Sequence, residues 1–241
     1  MPFWFYDPTF LLVIPALILG LWAGGRVRSA YAKYSKVEGR SGLTGADVAQ
    51  HILNEADIEV TGKPEAYPAG GACRLERIGG DLSDQYDPRT RTLRLSDAVY
   101  YGRNVAALGV AAHEAGHAIQ HARLYTPLML RSVMYPVSNL GSHLAFPLFI
   151  AGLLVPPWHF LLRVAIVMFT IAVFFTVVTL PVEFNASKRA LAALERGGYL
   201  APDELAGARK VLRAAALTYV AAAAMAVTQL LRMLIISRGR R

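Results

Sequence analysis

His113, Glu114 and His117 form the pattern H-E-x-x-H inside the run "VAAHEAGHAIQHA". Residues four apart share one face of an α-helix, so both imidazoles can reach a single metal ion. Glu114, next to the first histidine, is directed at a metal-bound water rather than at the metal. Zinc lowers the pKa of such a water to about 7, and a carboxylate beside it takes the proton as general base. The spacing therefore points to hydrolysis by a zinc-activated water. From average residue usage, three fixed rare residues in this pattern arise by chance in under ~1% of chains of this size. The flanks Val110, Ala111, Ala112, Ala115, Gly116, Ala118 and Ile119 are small or apolar, which a charged surface helix would not be. The competing structural reading is a pair of core histidines beside a surface glutamate.

A catalytic zinc usually has a third protein ligand. The metzincin extension would place Gly at 120 and His at 123, but Gln120 and Arg123 stand there. A downstream carboxylate remains. No Asp or Glu occurs from Ala118 to Val182, and the rest of the chain offers only Glu183, Glu195, Asp203 and Glu204. Glu195, before Gly197-Gly198, reads as a solvated helix end. Asp203 and Glu204, after Pro202, read as first-turn residues of a helix. Glu183 ends the longest apolar block just after Pro181, and is either an interface marker or a ligand.

The elements that must position these residues follow from composition. Of 241 residues, 54% are hydrophobic and 17% charged; ordinary soluble domains carry roughly 25% charged residues. A disordered chain is excluded, and an ordinary soluble enzyme is disfavoured. The apolar residues fall in four blocks, about Thr9–Gly25, Leu140–Pro157, Phe160–Val182 and Ala214–Ile236. The third, as a helix, is about 34 Å long and can cross a bilayer. Pro156-Pro157 predicts a tight reversal, so the second and third blocks form a helical hairpin. The alanine-rich fourth block suits close helix packing. Trp4, Phe5, Tyr6 and Trp22 sit where interfacial aromatics belong, and no Lys or Arg precedes the first block, which reads as an uncleaved anchor. Asn139 and His143 are expected to join helices by hydrogen bonds.

The net charge is +8, and the basic residues flank apolar blocks, so lipid attraction and topology explain them better than nucleic acid, which is not an expected partner. Arg26, Arg28, Lys33, Lys36 and Arg40 follow the first block; Lys188, Arg189, Arg196, Arg209, Lys210 and Arg213 lie between the third and fourth, outvoting the tail "SRGRR". The positive-inside bias puts these segments in the cytoplasm and both termini outside. The hairpin returns the chain to the side it left, so Glu183 emerges on the same face as His113 and His117. That favours the ligand reading. Ser187, four residues on, can hydrogen-bond Glu183 or a ligand imidazole, an effect typically worth roughly 10–100-fold. One cysteine, Cys73, excludes an intrachain disulfide and a cysteine-rich zinc site.

Residues 26–127 form the long hydrophilic stretch, about one small domain. Thr44 and Asp47 mark a helix start, with Ala46, Val48, Ala49, Ile52 and Leu53 as its apolar face. Residues 61–71 read as a loop. "GDLSDQYDPRTRTLRLSD" reads as two strands joined by a turn at 87–90, with Asp84 and Asp87 as turn residues and Thr92–Ser96 alternating as a half-exposed strand. A helix is expected from about Arg103 to Arg123, closed off by Pro127. The expected fold is a mainly α membrane protein with about four transmembrane helices and a small α+β, zincin-like domain. Its parts are an anchor (1–25), a catalytic domain (26–127), a transmembrane hairpin (128–182), a helical segment with the third ligand (183–213) and a last transmembrane helix with a basic tail (214–241).

Further candidates carry weaker signals. His121, one turn beyond His117, is placed to steady an oxyanion or to bond locally. Tyr100, Tyr101 and Tyr219 are candidate donors to a tetrahedral intermediate or simply buried aromatics. The strand Thr92, Leu93, Arg94, Leu95, Ser96 either pairs with an extended peptide substrate or is an ordinary inner strand.

The segments "HEAGHAIQHA", "DQYDPRTRTLRLSDAVYYG", "LPVEFNASKRAL" and "GARKVLRAAALTYVAAA" resemble the bacterial YugP-type neutral zinc metallopeptidases, over nearly the whole chain. The resemblance implies a multi-pass zinc metalloprotease of the bacterial cell membrane, with His113, His117 and Glu183 as ligands of one zinc ion per chain. "EFNAS" is also similar to the E-x-x-x-D element of the HtpX and CAAX-protease gluzincins, with Ser187 where that group carries Asp.

The expected function is a membrane zinc endopeptidase at the cytoplasmic surface, with Glu114 activating water and with membrane proteins or their juxtamembrane tails as substrates. Two rivals stand beside it. One is an inactive zinc-containing membrane scaffold, with His121 as a fourth ligand. The other is a zinc hydrolase of a non-peptide membrane substrate such as a lipid head group.

Overall fold

A computed structural model describes residues 8–61, 71–80 and 83–239. Trp4, Phe5, Tyr6, most of the 61–71 loop, and Arg240 and Arg241 of the basic tail lie outside the described residues. The chain divides into two compact units: residues 25–129 with 181–216, and residues 1–24 with 130–180 and 217–241.

In the first unit, helix α2 (Gly45–Asn54) begins where Thr44 and Asp47 predict. The Thr44 hydroxyl accepts from the Asp47 N–H, and the Asp47 carboxylate accepts from the Thr44 N–H, a reciprocal cap that satisfies two otherwise free donors. Val48, Ala49, Ile52 and Leu53 are buried on its inner face. Gly45 permits the close approach to the next segment: a Cβ there would stand 2.2 Å from the Val99 carbonyl oxygen.

The sheet has four strands, β1 (Val60–Thr61), β2 (Cys73–Ile78), β3 (Gln85–Asp87) and β4 (Thr92–Ser96), in the order β1-β2-β4-β3. β3 and β4 form the expected antiparallel hairpin, with Tyr86 opposite Leu93. The Asp87 carboxylate accepts from Arg89 N–H and Thr90 Oγ1 to set the turn. Asp84, expected in a turn, instead accepts from the Ser96 N–H and hydroxyl, tying the start of β3 to the end of β4.

β4 is buried rather than half-exposed, and of its two readings it takes that of an ordinary inner strand. It lies between β2 and β3, with Leu75 opposite Leu93 on the parallel side. Thr92, Leu93, Leu95 and Ser96 are buried and only Arg94 is half-exposed. Both of its edges are engaged, so these five residues cannot take up an added peptide strand. Their polar members are buried because each has a local partner: Thr92 Oγ1 donates to the Thr90 carbonyl and Ser96 bonds Asp84.

After the short helix α3 (Asp97–Tyr100), helix α4 (Val105–Ala122) carries H-E-x-x-H. Asn104 Oδ1 caps it by accepting from the Ala107 N–H. The helix is buried nearly all round, with Leu108, Ala111, Ala112, Ala115 and Ala118 in the core. Burying a side chain such as Leu108 stabilises by about 1.5–3 kcal/mol. Pro127 does not close α4. Leu124, at φ 50°, turns the chain, and the Tyr125 N–H reaches back to the Gln120 carbonyl. Pro127 instead stands in the first turn of α5 (Thr126–Leu154).

The second unit is helical. A 3₁₀ turn at Pro8–Leu12 leads into α1 (Ile14–Tyr34), and α5, α6 (Phe160–Arg196) and α7 (Pro202–Arg238) complete the long helices, of which residues 25–34, 126–129, 181–196 and 202–216 belong to the first unit; a 3₁₀ turn at Pro156–Trp158 makes the predicted reversal. All four are long and apolar enough to cross a membrane, and the chain is a membrane protein. Each helix runs past the apolar block that marks it in the sequence. Glu183 and Pro181 therefore lie inside α6, not at its end. Phe149, Leu162, Ala165 and Met233 pack at the bundle core, while Leu17, Leu21, Val167, Phe174 and Leu231 are exposed apolar side chains suited to lipid. Asn139 and His143, expected to join helices, are exposed on α5.

Candidate metal centre

Helices α4 and α6 bring His113, His117 and Glu183 together, with one ligand atom from each within 4.8 Å of the others. His113 Nε2 lies 3.2 Å from Glu183 Oε2, and His117 Nε2 lies 3.6 Å from the same oxygen. Zinc takes nitrogen and carboxylate ligands at about 2.0–2.2 Å in a tetrahedral arrangement, which sets ligand atoms roughly 3.3 Å apart. The observed spacings suit that ion, and so does the donor set of two imidazoles and one carboxylate. The two rings meet edge to face, with centroids 4.8 Å apart. Glu183 is 2% exposed.

The remaining ring nitrogens are held from behind. Ser187 Oγ is 3.2 Å from His113 Nδ1, so of its two expected partners Ser187 takes an imidazole. Gln120 Oε1 is 3.0 Å from His117 Nδ1. Gln120 is fully buried, and its amide nitrogen donates to the Val182 carbonyl at 2.8 Å and to Asn185 Oδ1 at 3.0 Å. This residue carries no sequence signature, since a buried amide resembles any other polar residue on a helix. The one available hint is its offset of three from His117, one helical turn away.

Glu114 is buried beside the cluster. Burial pushes its carboxyl up to about 7; the His113 charge opposes this, the Glu183 and Asp84 charges add to it, and the Tyr86 backbone N–H donates to the ionised form. A divalent cation bound alongside draws such a group back towards its ionised form. Tyr86 belongs to β3, which ends the sheet, so the outer edge of that strand borders Glu114.

The weaker candidates are placed elsewhere. His121 Nδ1 bonds the Tyr86 hydroxyl at 2.8 Å, the local role, and burial lowers its basicity with Arg91 adding to the effect. Tyr101 is 58% exposed with its hydroxyl towards Arg77, and Tyr100 packs edge-on against it. Tyr219 lies on α7 in the helical unit.

A family model described as "Putative neutral zinc metallopeptidase" matches residues 9–238. The chain belongs to this family. A member from Bacillus subtilis (strain 168), named "Putative membrane protease YugP", is 45% identical over 225 residues, covering 93% of this chain and 94% of its own. No solved structure matches the chain. The family match spans α1 to α7 and so includes both helices that carry the cluster.

Proposed function

We propose that this chain is a zinc endopeptidase of the bacterial cell membrane, spanning it several times, with its hydrolytic site at the cytoplasmic surface. The observation that carries the reading is the convergence of His113, His117 and Glu183 within 4.8 Å, beside the buried Glu114. When bound there, zinc acts as a Lewis acid and lowers the pKa of water to about 7. Glu114 accepts the proton from the attacking water and returns it to the leaving amine. Ser187 and Gln120 hold the imidazoles by their Nδ1 atoms, which leaves Nε2 of each for the metal.

A peptide substrate is favoured by the outer edge of β3, which has no strand partner among the described residues and borders Glu114. An extended chain adds to such an edge by main-chain hydrogen bonds. The substrates would be membrane proteins or their juxtamembrane tails, because Glu183 follows directly on an apolar block. The basic clusters flanking the spans favour a cytoplasmic site. A closed structural zinc site needs four protein ligands, and among the described residues the cluster holds three, His113, His117 and Glu183, without His121, the candidate fourth.

The test is Glu114→Gln in full-length protein. It should retain zinc and fold, yet the membrane-protein fragments produced by wild type in complemented cells should disappear. A variant that cuts as well as wild type would overturn the mechanism.

A further inference from the structure

We infer that Gln120 is a positioning residue that sets two of the three metal ligands at once, His117 through its ring and Glu183 through its backbone. The inference rests on the zinc-peptidase reading above and deepens it.

Amide orientation is normally an assignment, but here the network determines it. The Arg189 Nε–H only donates, and it donates to Asn185 Oδ1 at 2.7 Å. That oxygen therefore also faces the Gln120 side chain as an acceptor, at 3.0 Å. The Val182 carbonyl is an acceptor as well, at 2.8 Å. With two acceptors at one end, that end of Gln120 is its NH₂. Its carbonyl oxygen must then face His117, at 3.0 Å from Nδ1. An acceptor there fixes the proton on His117 Nδ1 and leaves the Nε2 lone pair free, 3.6 Å from Glu183 Oε2.

The second grip is on α6. The carbonyl that Gln120 holds belongs to the peptide bond joining Val182 to Glu183. Pro181, just before it, has no N–H, so the Val177 carbonyl one turn earlier lacks its helical donor. A fully buried amide bonded on α4 and α6 thus holds the turn that delivers the third ligand. The relay Arg189–Asn185–Gln120–His117 runs from the "EFNASKR" segment back to H-E-x-x-H.

The test measures metal binding by full-length protein in detergent, using zinc affinity by chelator competition and the absorption spectrum of the cobalt-substituted protein. Gln120→Met keeps the length of the side chain and loses all three bonds. It should bind zinc roughly 10–100-fold more weakly and alter the cobalt spectrum. Gln120→Glu keeps an acceptor for His117 and loses the amide donor, so it should recover part of the affinity. Leu108→Ala, a core change away from the ligands, should lower Tm but leave the cobalt spectrum unchanged. Wild-type affinity and spectrum in Gln120→Met overturn the inference and leave the zinc reading standing. If Gln120→Met does not fold, the same result in Gln120→Glu overturns it. Absence of zinc from supplemented wild type overturns the zinc reading and this inference with it.

Discussion

Gly116 of α4 lies so close to Ala186 of α6 that a Cβ on it would stand 2.8 Å from the Ala186 carbonyl oxygen. The obstacle is helix backbone and cannot rotate away. Gly116 sits between His113 and His117 in sequence, and Ala186 lies between Glu183 and Ser187. The close approach of these turns is what lets a carboxylate on α6 meet imidazoles on α4. Gly116→Ala should push the helices apart, at a cost of about 1–3 kcal/mol typical of overpacking. The expected readings are a lower Tm and a loss of zinc content in the same variant. Wild-type zinc content would show that the separation tolerates a methyl group.

The cap of α2 predicts a pH dependence. Hydrogen bonds from the Thr44 hydroxyl and N–H hold the Asp47 carboxyl below its ordinary value. A depressed folded-state pKa means that the stabilisation is present above the unfolded value, about 3.9, and is lost as pH falls through the folded value. The Tm difference between wild type and Asp47→Asn should therefore be largest near neutral pH and shrink below about pH 4. Thr44→Ala should cost about 1 kcal/mol at neutral pH. A Tm difference that grows on acidification would refute this account.

The residues visible in the sequence were those whose signal is periodic or whose alternatives are few. His113 and His117 show by their spacing. Glu183 shows because no other carboxylate occurs between Ala118 and Val182 and because the hairpin returns the chain to one side. β2 is not legible because "CRLERI" mixes charge into a strand: Glu76 pairs with Arg74 on its own strand and with Arg94 on β4, and these ionic partners hide the apolar alternation. The burial of β4 is not legible because Thr92 and Ser96 look solvent-facing until their partners, Thr90 and Asp84, are known. The helices outrun their apolar blocks because the edge of a block marks a change in side-chain polarity, while backbone hydrogen bonding continues. Gln120 depended on contacts with residues more than sixty positions away, which no local pattern encodes.

Cys73 should be chemically silent in the folded protein. It is 1% exposed on β2, and burial pushes its thiol up to about 12, with the Leu93 backbone opposing. The thiolate is the reactive species, so both access and ionisation are suppressed. At pH 8, mass spectrometry should find no alkylation by iodoacetamide in native protein and complete alkylation after denaturation. Rapid labelling of the native state would mean that the β2 region opens readily.

Two neighbouring acids at the start of α7 should behave oppositely. Asp203 forms a bidentate pair with Arg40, but both side chains are about two-thirds exposed, at 64% and 67%. Exposed pairs are screened by solvent, so Asp203→Ala should leave Tm nearly unchanged. Glu204 makes fewer ionic contacts yet matters more. Its side chain is 3% exposed and accepts the backbone N–H groups of Arg40 and Ala201, at 3.0 and 2.8 Å. Truncation leaves two part-buried donors without their acceptor, at a cost of about 1 kcal/mol for each lost bond. Glu204→Gln keeps an acceptor oxygen for one of these donors and should fall between wild type and Glu204→Ala. Thermal unfolding of the three variants in one detergent tests the order. Equal Tm values for Asp203→Ala and Glu204→Ala would show that burial does not govern this pair.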